Sequence, residues 1–482
     1  MSRWHPVYGQ HVLRRNYHFS HMHLMPYFYD ALIAYAAELT QIGLPHSQEA
    51  AEMLRQIRPQ SIAAFDGQVE DVFYAINGRL EQRVGPEVAG VVRRGLSRND
   101  LDLTVYRAYA RMRGLQVVRQ LLKLRKTLLV LTSTHAETLM VAQTHYQPAQ
   151  PHTLGHYFAA IESLLSRDFK RLWNAILTVN SSPLGASALA GNPYPIDRSR
   201  LAGRLGFGSI VENTYDAVAA GDWGLELGHA ASGLASSLSR LQTDLLVWAR
   251  EGVLQVGERI TQGSSIMPQK CNPVVLEHAR SLLAKAIGHS QTLLLLNHST
   301  PFGDHNDHST EMVEPLGQMC QTLSAALELT RLALLESRFS SEQLQAGLED
   351  GSVLASEMAD ALVAYCQIPL TEAHHRVKHL MAVLNAQSKT LRQATFEDFT
   401  AHLGCDSPAL QAALDPRVFL QRRGVQGGVA LATQQRDLQQ AQGRLEADIQ
   451  TYLQLYHTIH KRQQALRQRA KKPVRVSTVG DS

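Results

Sequence analysis

The loop at residues 263–273 (GSSIMPQKCNP) holds the densest group of side chains that could do chemistry. Gly263 permits backbone turns that other residues avoid, and the two serines and Asn272 offer hydroxyl and amide groups. Because Lys270 adds a positive charge, loop N–H groups and this cation could together bind a carboxylate or a phosphate. The glycine spacing differs from that of a Walker loop. A polar connector between two helices is the competing interpretation.

Two further segments place polar side chains at close spacing, residues 97–100 (SRND) and residues 144–151 (THYQPAQP). Both also have a purely structural interpretation. Ser97 and Asn99 could cap a helix that starts at the end of the first segment. His145 could be an ordinary structural histidine before a turn that contains proline. Composition alone does not separate these interpretations from catalysis.

The elements that must position these side chains are helices. Apolar residues recur at three- and four-residue steps through long stretches, a pattern that favours bundle or coiled-coil packing. Predicted helices span residues 27–43, 104–142, 223–254, 274–298 and 315–336. Segments rich in Gly, Pro, Ser and Asn form the loops at 181–197, 262–273 and 297–315. Because alternating strand patterns are scarce, we predict an all-α fold.

The charge of the chain is concentrated near its end. The 482 residues carry a formal net charge of +4, with a sequence pI near 8.8. Seven basic residues and no acidic ones lie in the last stretch: Lys461, Arg462, Arg467, Arg469, Lys471, Lys472 and Arg475. A solvated terminus is the commoner fate of such a tail. We therefore expect neither a nucleic-acid partner nor a membrane partner.

The cysteine content and the N-terminus bear on the compartment. The four cysteines are far apart and form no Cys-x-x-Cys pair: Cys271, Cys320, Cys366 and Cys405. This spacing argues against a disulfide framework or a cysteine-based zinc site and suits a reducing cytosol. The N-terminus lacks the apolar core of a signal peptide, and apolar runs are too short to span a membrane. We expect a cytoplasmic protein.

The 263–273 loop resembles the signature of the fumarase/aspartase superfamily, Gly-Ser-Ser-x-Met-Pro-x-Lys-x-Asn-Pro, at every fixed position. Residues 97–100 and 144–151 resemble motifs of the argininosuccinate lyase branch. Three more segments resemble the Gly-rich connection of that branch: residues 183–185, 190–193 and 196–198. Order and spacing match from about residue 10 to past residue 340. The chain is thus identified as a divergent member of this branch, similar in some respects to ethylenediamine-disuccinate lyase.

The resemblance implies a β-elimination that releases fumarate from an N-substituted aspartate, reversibly. A base removes the proton beside a carboxylate, donors stabilise the charge that the carboxylate gains, and an acid protonates the departing nitrogen. By motif position, Ser264 matches the base, His145 the residue of the acid side, and Glu277 the carboxylate that pairs with His145. The implied substrate-binding residues are Ser97, Arg98, Asn99, Thr144, Lys270 and Asn272. A serine is a weak base, so loop amides and Lys270 must stabilise its alkoxide.

The resemblance also implies the architecture and the assembly. The expected domains are residues 1–98 (N-terminal helical), 99–345 (central long-helix bundle with the signature loop) and 346–482 (small helical domain with the basic tail). The implied assembly is a homotetramer in which each active site is built from three subunits. No cofactor and no metal are expected.

Three departures from the branch concern the amine rather than fumarate. Cys271 stands where argininosuccinate-cleaving members usually have lysine, and Phe73 follows residues 70–72 (EDV) where they have histidine. Residues 297–315 contain none of the Tyr, Gln and Lys that bind the amino-acid half of argininosuccinate, and offer acidic and imidazole groups from Asp304 to His308. We therefore expect argininosuccinate or a related substrate, such as a diamine-linked aminopolycarboxylate.

Two alternatives remain open at this point. The Asp304–His308 segment is rich in possible metal ligands, which would suit a metal-dependent hydrolase. A single short loop seldom supplies a complete coordination sphere, and this interpretation leaves the serine loop unexplained. The second alternative is a catalytically inactive structural relative, since this branch includes lens proteins without activity. Retention of Ser264, His145 and Lys270 favours an active enzyme.

Overall fold

The computed structural model describes residues 4–405 and 407–468. The chain begins with α1 (Pro6–Tyr8), α2 (Arg14–Phe19), α3 (Met25–Gln41), α4 (Ser47–Gln56), α5 (Val72–Val91) and α6 (Arg98–Thr134), with π-helical turns at Gly9–Leu13 and Ser20–Leu24. It continues with β1 (Leu139–Thr144), β2 (Gln147–Thr153), α7 (Leu154–Val179), β3 (Ser181–Ser182), α8 (Arg198–Arg204), β4 (Ser209–Ile210), α9 (Thr214–Ala219) and α10 (Asp222–Arg250).

The second half contains β5 (Leu254–Gln255), β6 (Gln262–Gly263), β7 (Cys271–Asn272), α11 (Val274–Asn297), α12 (Thr310–Glu336), β8 (Arg338–Phe339) and α13 (Ser341–Gln345). It ends with α14 (Ala355–Cys366), α15 (Leu370–Ala386), α16 (Phe396–Leu403), α17 (Pro408–Ala412), α18 (Pro416–Gln421) and α19 (Leu431–Arg467). Short 3₁₀ turns lie at Pro59–Ser61, Glu258–Ile260, Asn306–His308, Ala346–Leu348, Ser352–Leu354 and Leu391–Gln393.

The long helices α6, α7, α10, α11 and α12 pack side by side into a bundle. The predicted all-α class is confirmed, since the strands are short and pair only in twos among the described residues. The predicted helix 104–142 was wrong at its end. Helix α6 stops at Thr134, and β1 and β2 form an antiparallel hairpin immediately after it. Strand pairing between β1 and β2 overrides the apolar periodicity there.

The buried residues form two hydrophobic clusters. The main cluster fills the bundle and extends to α3 and α4, whereas a smaller one joins Leu139 to buried residues between Leu348 and Phe419. Helix α19 belongs to the main cluster, because its buried residues, among them Leu445 and Ile459, pack there. The last long helix thus returns along α6 to the N-terminal helices. The three-domain division stays a prediction.

A buried ionic network ties three helices of this core together. Arg125 of α6 has no exposed surface and donates to Glu162 of α7 at 2.9 Å and to Asp448 of α19 at 2.7 Å. It also donates to Ser166 of α7 at 3.1 Å. Removing one member of such a network leaves an uncompensated buried charge, which is strongly destabilising. Arg125 therefore fixes how α19 lies against the bundle.

The C-terminal cluster contains a disulfide between Cys366 and Cys405, although the cysteine spacing argued against a disulfide framework. The two residues are 39 positions apart in the chain, and folding of α14 to α16 brings them together. Cys271 and Cys320 are free. The cytoplasmic location stays a prediction, and the cysteine argument no longer supports it.

The basic terminal stretch is only partly described. Arg467 lies at the end of α19 and pairs with buried Asp30 of α3, with N···O distances of 2.7 and 2.6 Å. This residue is thus a structural partner and not part of a solvated tail. The tail residues Arg469, Lys471, Lys472 and Arg475 lie outside the described residues. Within the described ranges, the helices are too polar or too short to cross a membrane.

Candidate active site

The signature loop forms a small hairpin in which β6 pairs with β7. Ser264 follows β6, and its Oγ accepts hydrogen bonds from the backbone N–H groups of Met267 at 3.1 Å and Ile266 at 3.4 Å. Two N–H dipoles directed at a hydroxyl oxygen stabilise negative charge on that oxygen. The local fold thus meets the requirement that a serine base places on its surroundings.

The remaining residues of the signature segment lie on the surface. Lys270 and Glu277 are exposed and Asn272 is half-buried; Glu277 lies in the first turn of α11. Lys270 takes part in a backbone turn with Met267, and its ammonium group makes no ion pair with any residue that the structure describes. The large apolar side chain of Ile266 is 84 % exposed.

Thr144 and His145 lie at the tip of the hairpin formed by β1 and β2. Thr144 ends β1, and His145 and Tyr146 form the turn with φ values of +52° and +60°. Two residues with positive φ suit a tight hairpin turn, but they are strained for side chains other than glycine. Tyr146 is 93 % exposed. The strained tip holds His145 away from the body of the chain, and His145 does not contact Glu277 through a hydrogen bond or ion pair in the described residues.

Ser97, Arg98 and Asn99 occupy the start of α6. Ser97 is the N-cap residue in a capping box with Asp100, so the structural role proposed for it is observed. Arg98 donates to Asp71 at 2.7 Å and lies 3.3 Å from a carboxylate oxygen of Glu70. Asn99 donates to Asp304 of the loop that follows α11.

Asp100 is a residue whose structural importance the sequence did not reveal. It is fully buried, and its two carboxylate oxygens accept from the backbone N–H groups of Ser97, Gly185 and Ser187 at 3.1, 2.8 and 3.0 Å. Burial raises the pKa of Asp100 to about 7, although the three N–H donors oppose the shift. Gly185 has a φ of +89°, which favours glycine there. Asp100 thereby fastens the Gly-rich connection to the start of α6.

A cavity of about 260 Å³ lies against the start of α6. Its wall combines the N-terminal helices, the segment before α5, the first turns of α6 and the loop from Asp304 to Thr310. The cavity includes Arg98 and Asn99, which the sequence predicted, and Asp102, which it did not. Asp102 lies four residues after Arg98 on one helix face, and this spacing is the signal that could have identified it.

The predicted site residues lie toward opposite ends of the bundle within one chain. We define the near end as the end of the bundle where α6 begins at Arg98 and α11 ends at Asn297. The hydrogen bond from Asn99 to Asp304 joins the start of α6 to the loop after α11 there. The far end is where α6 ends at Thr134 and α11 begins at Val274. Contacts of Phe339 with His135 and Trp248 bring the ends of α6 and α10 together at this far end.

The lengths of the helices set the separation. Helix α6 has 37 residues and rises ~54 Å, and α11 has 24 residues and rises ~35 Å. The β1–β2 hairpin reaches at most ~20 Å from its base, so Thr144 and His145 stay on the order of 30 Å or more from Arg98. The structure therefore brings Ser97, Arg98 and Asn99 together, but it separates them from the two hairpins of the far end.

The possible metal ligands of residues 304–308 do not form a metal centre. Within the described ranges, the structure contains no group of three or more His, Cys, Asp and Glu side chains arranged to hold a metal ion. Asp304 instead accepts from Asn99, and His308 is buried against the backbone of Val218. This geometry gives no support to a metal-dependent hydrolase.

Known proteins similar to this chain agree on its family. A family model described as a lyase matches residues 10–288. An argininosuccinate lyase of Synechococcus sp. (strain JA-3-3Ab) is 36 % identical over 434 residues, 88 % of each chain. An argininosuccinate lyase of Shouchella clausii (strain KSM-K16) is 31 % identical over 84 % of each chain.

Solved structures show the same fold. An EDDS lyase variant with bound fumarate superposes with a TM-score of 0.84 at 25 % identity, covering 92 % of this chain and 91 % of its own. A class II fumarase from Schistosoma mansoni shares the fold with a TM-score of 0.66 at 17 % identity, covering 82 % of this chain and 90 % of its own. The chain therefore belongs to the argininosuccinate lyase branch of the fumarase/aspartase superfamily and is a carbon–nitrogen lyase.

Proposed function

We propose that the protein cleaves the C–N bond of an N-substituted aspartate to release fumarate and an amine, and that the reaction is reversible. The observation that carries this proposal is the Oγ of Ser264 facing two backbone N–H groups inside a complete signature loop. The relatives named argininosuccinate lyase and the similar EDDS lyase structure with bound fumarate support the same reaction class.

In the proposed mechanism, the Ser264 alkoxide takes the proton from the carbon beside a substrate carboxylate. The electron pair of that C–H bond moves into the carboxylate, which becomes a dianionic aci form. Lys270 and Asn272 face this charge, together with Thr144 and the residues at the start of α6. When the pair returns to form the double bond of fumarate, the C–N bond breaks. His145, which the family resemblance pairs with Glu277, donates a proton to the departing nitrogen.

This mechanism requires more than one copy of the chain, and we propose the homotetramer with shared sites that the family resemblance implies. The separation between the near end and the far end supports it, because one chain cannot bring Arg98 to Ser264 or His145. In a closed symmetric assembly, a near end of one copy can meet a far end of another. The exposed Ile266 and Tyr146 on the far-end hairpins are surfaces that such an assembly would cover.

The identity of the amine is also a proposal. The loop after α11 lacks the Tyr, Gln and Lys that serve the amino-acid half of argininosuccinate, and it places Asp304 beside Asn99. We favour an amine other than arginine, such as a diamine, and keep argininosuccinate as the alternative.

The test is a pair of serine variants. We expect Ser264→Ala to abolish fumarate release, measured as ultraviolet absorbance, because the base is lost while the loop backbone remains. Ser265→Ala is the matched control, since the neighbouring hydroxyl has no proposed role. Fumarate with a panel of amines, and argininosuccinate in the elimination direction, serve as substrates. Substantial activity of Ser264→Ala would refute the base assignment, and inactivity of the wild type with every substrate would refute the lyase function.

A further inference from the structure

The cavity at the start of α6 contains more negative than positive groups. Four carboxyl side chains line it: Glu70, Asp71, Asp102 and Asp304. Arg98 is the one lining residue with a permanent positive charge among the residues that the structure describes. A cavity of this charge is unfavourable for a substrate with only carboxylates, and favourable for one that also carries a cation.

The single guanidinium is already engaged. Arg98 donates to Asp71 at 2.7 Å and approaches Glu70 at 3.3 Å, so its charge is shared by these two carboxylates. Asp304 accepts from the neutral amide of Asn99. Neither Asp102 nor Asp304 makes an ion pair in the described residues, although Arg98 attracts both and the imidazoles of His305 and His308 attract Asp304.

Asp102 differs from the other three carboxyl groups of the cavity in its contacts. No hydrogen bond or ion pair joins its side chain to any residue in the described ranges, although that side chain lines the cavity and is partly accessible. Burial, together with the charges of Asp71 and Asp304, raises the pKa of Asp102 well above its usual range. Burial also raises the pKa of Asp304. A cationic ligand would relieve both the repulsion and the missing hydrogen bonds.

The position of Asp102 relative to the proposed substrate residues sets the geometry of the ligand. Arg98 lies in the first turn of α6, and Asp102 lies one turn further along the same face. One helical turn is 5.4 Å, which a short aliphatic spacer can bridge. Tyr106 lies a further turn along, buried and 3.3 Å from the hydroxyl of Thr310, and it limits the depth of the cavity.

We propose that Asp102, assisted by Asp304, is a specificity-determining residue that binds a positively charged group at the far end of the leaving amine, so that short diamines are preferred over monoamines and amino acids. This inference rests on the proposed lyase function and deepens it. An amine with a distal carboxylate would meet Asp102 and Asp304 directly, and that repulsion disfavours it. An amine with a distal methyl group would leave the Asp102 side chain without a hydrogen-bond partner.

The experiment compares three amines of similar length in the addition to fumarate. Ethylenediamine carries a distal ammonium group, propylamine a distal methyl group and β-alanine a distal carboxylate. We expect kcat/KM to be higher for ethylenediamine than for propylamine by on the order of 10- to 100-fold, and to be lowest for β-alanine. Asp102→Asn should lower kcat/KM for ethylenediamine about tenfold or more and leave propylamine nearly unchanged. The matched control is Asp307→Asn, an exposed carboxylate of the same loop that does not line the cavity.

The outcomes separate this inference from the proposed function. Equal loss for ethylenediamine and propylamine in Asp102→Asn would show a general structural role and overturn the inference, as would equal wild-type rates for the two amines. If the wild type turns over neither any amine nor argininosuccinate, the proposed function fails. Calorimetric titration with ethylenediamine and propylamine, in the presence of fumarate, then decides the inference. Tighter binding of ethylenediamine that Asp102→Asn removes supports it, and equal or absent binding overturns it.

Discussion

Two inactive variants should restore each other's activity when they assemble together, provided that their substitutions lie at opposite ends of the bundle. Ser264→Ala removes the proposed base at the far end, and Arg98→Gln removes a proposed substrate-binding group at the near end. Within one chain these positions are separated by most of the length of α11, which rises ~35 Å. A site that contains both groups must take them from two copies.

The expected recovery follows from random assembly. In an equal mixture, half of the copies carry an intact far end and half carry an intact near end. Each site draws its far-end residues and its near-end residues from different copies, so about one quarter of the sites contain both intact groups. Activity per site should therefore rise from near zero to about one quarter of the wild-type value.

The assay uses co-expressed chains with different affinity tags, so that mixed assemblies are purified and their fumarate production is measured directly. The matched control mixes Ser264→Ala with Lys270→Ala. Both substitutions lie in one hairpin of one copy, so every site keeps one defect and no recovery is expected. Purified mixed assemblies that stay inactive, or equal recovery in the control pair, would contradict the shared site. Full activity in a monomeric wild type would contradict it as well.

Three further predictions concern stability. Asp100→Asn should lower the free energy of unfolding by about 1–3 kcal/mol, because an amide cannot accept from all three N–H donors. Thermal unfolding measures this loss, and an unchanged melting temperature would refute the structural role of Asp100. Arg125→Met should cost about 3–5 kcal/mol in urea unfolding, since Glu162 is left buried without its partner. The exposed pair between Arg250 and Glu251 serves as the control, where Arg250→Met should cost less than about 1 kcal/mol. Burial lowers the pKa of His152 from 6.5 to about 4, so the unfolded chain binds more protons than the folded chain between these pH values. The free energy of unfolding should therefore fall as the pH drops through this window, by at most ~3 kcal/mol. His152→Gln should flatten that part of the profile of stability against pH, and an unchanged profile would contradict this prediction.

The reaction class and the helical fold could be predicted from the sequence because both depend on local patterns. The functional groups of the signature loop lie within eleven consecutive residues, and apolar periodicity predicts the long helices. The same reasoning failed at residues 135–142, where a hairpin replaced the predicted helix, and at Cys366 and Cys405, whose pairing depends on long-range folding. Spacing in the sequence does not report such contacts.

The sequence by itself determined which groups are present: a serine and a cation in one polar loop, a histidine before a turn that contains proline, and an Arg-Asn pair at a possible helix start. Only the tertiary structure decided where they lie. The lengths of α6 and α11 place these groups at opposite ends of the bundle, so that a site containing all of them would need more than one copy of the chain. The fold also gathers Asp71, Asp102 and Asp304 around one cavity from three distant segments. The electrostatic repulsion between these carboxylates depends on their distances in space. A local sequence motif therefore cannot predict it.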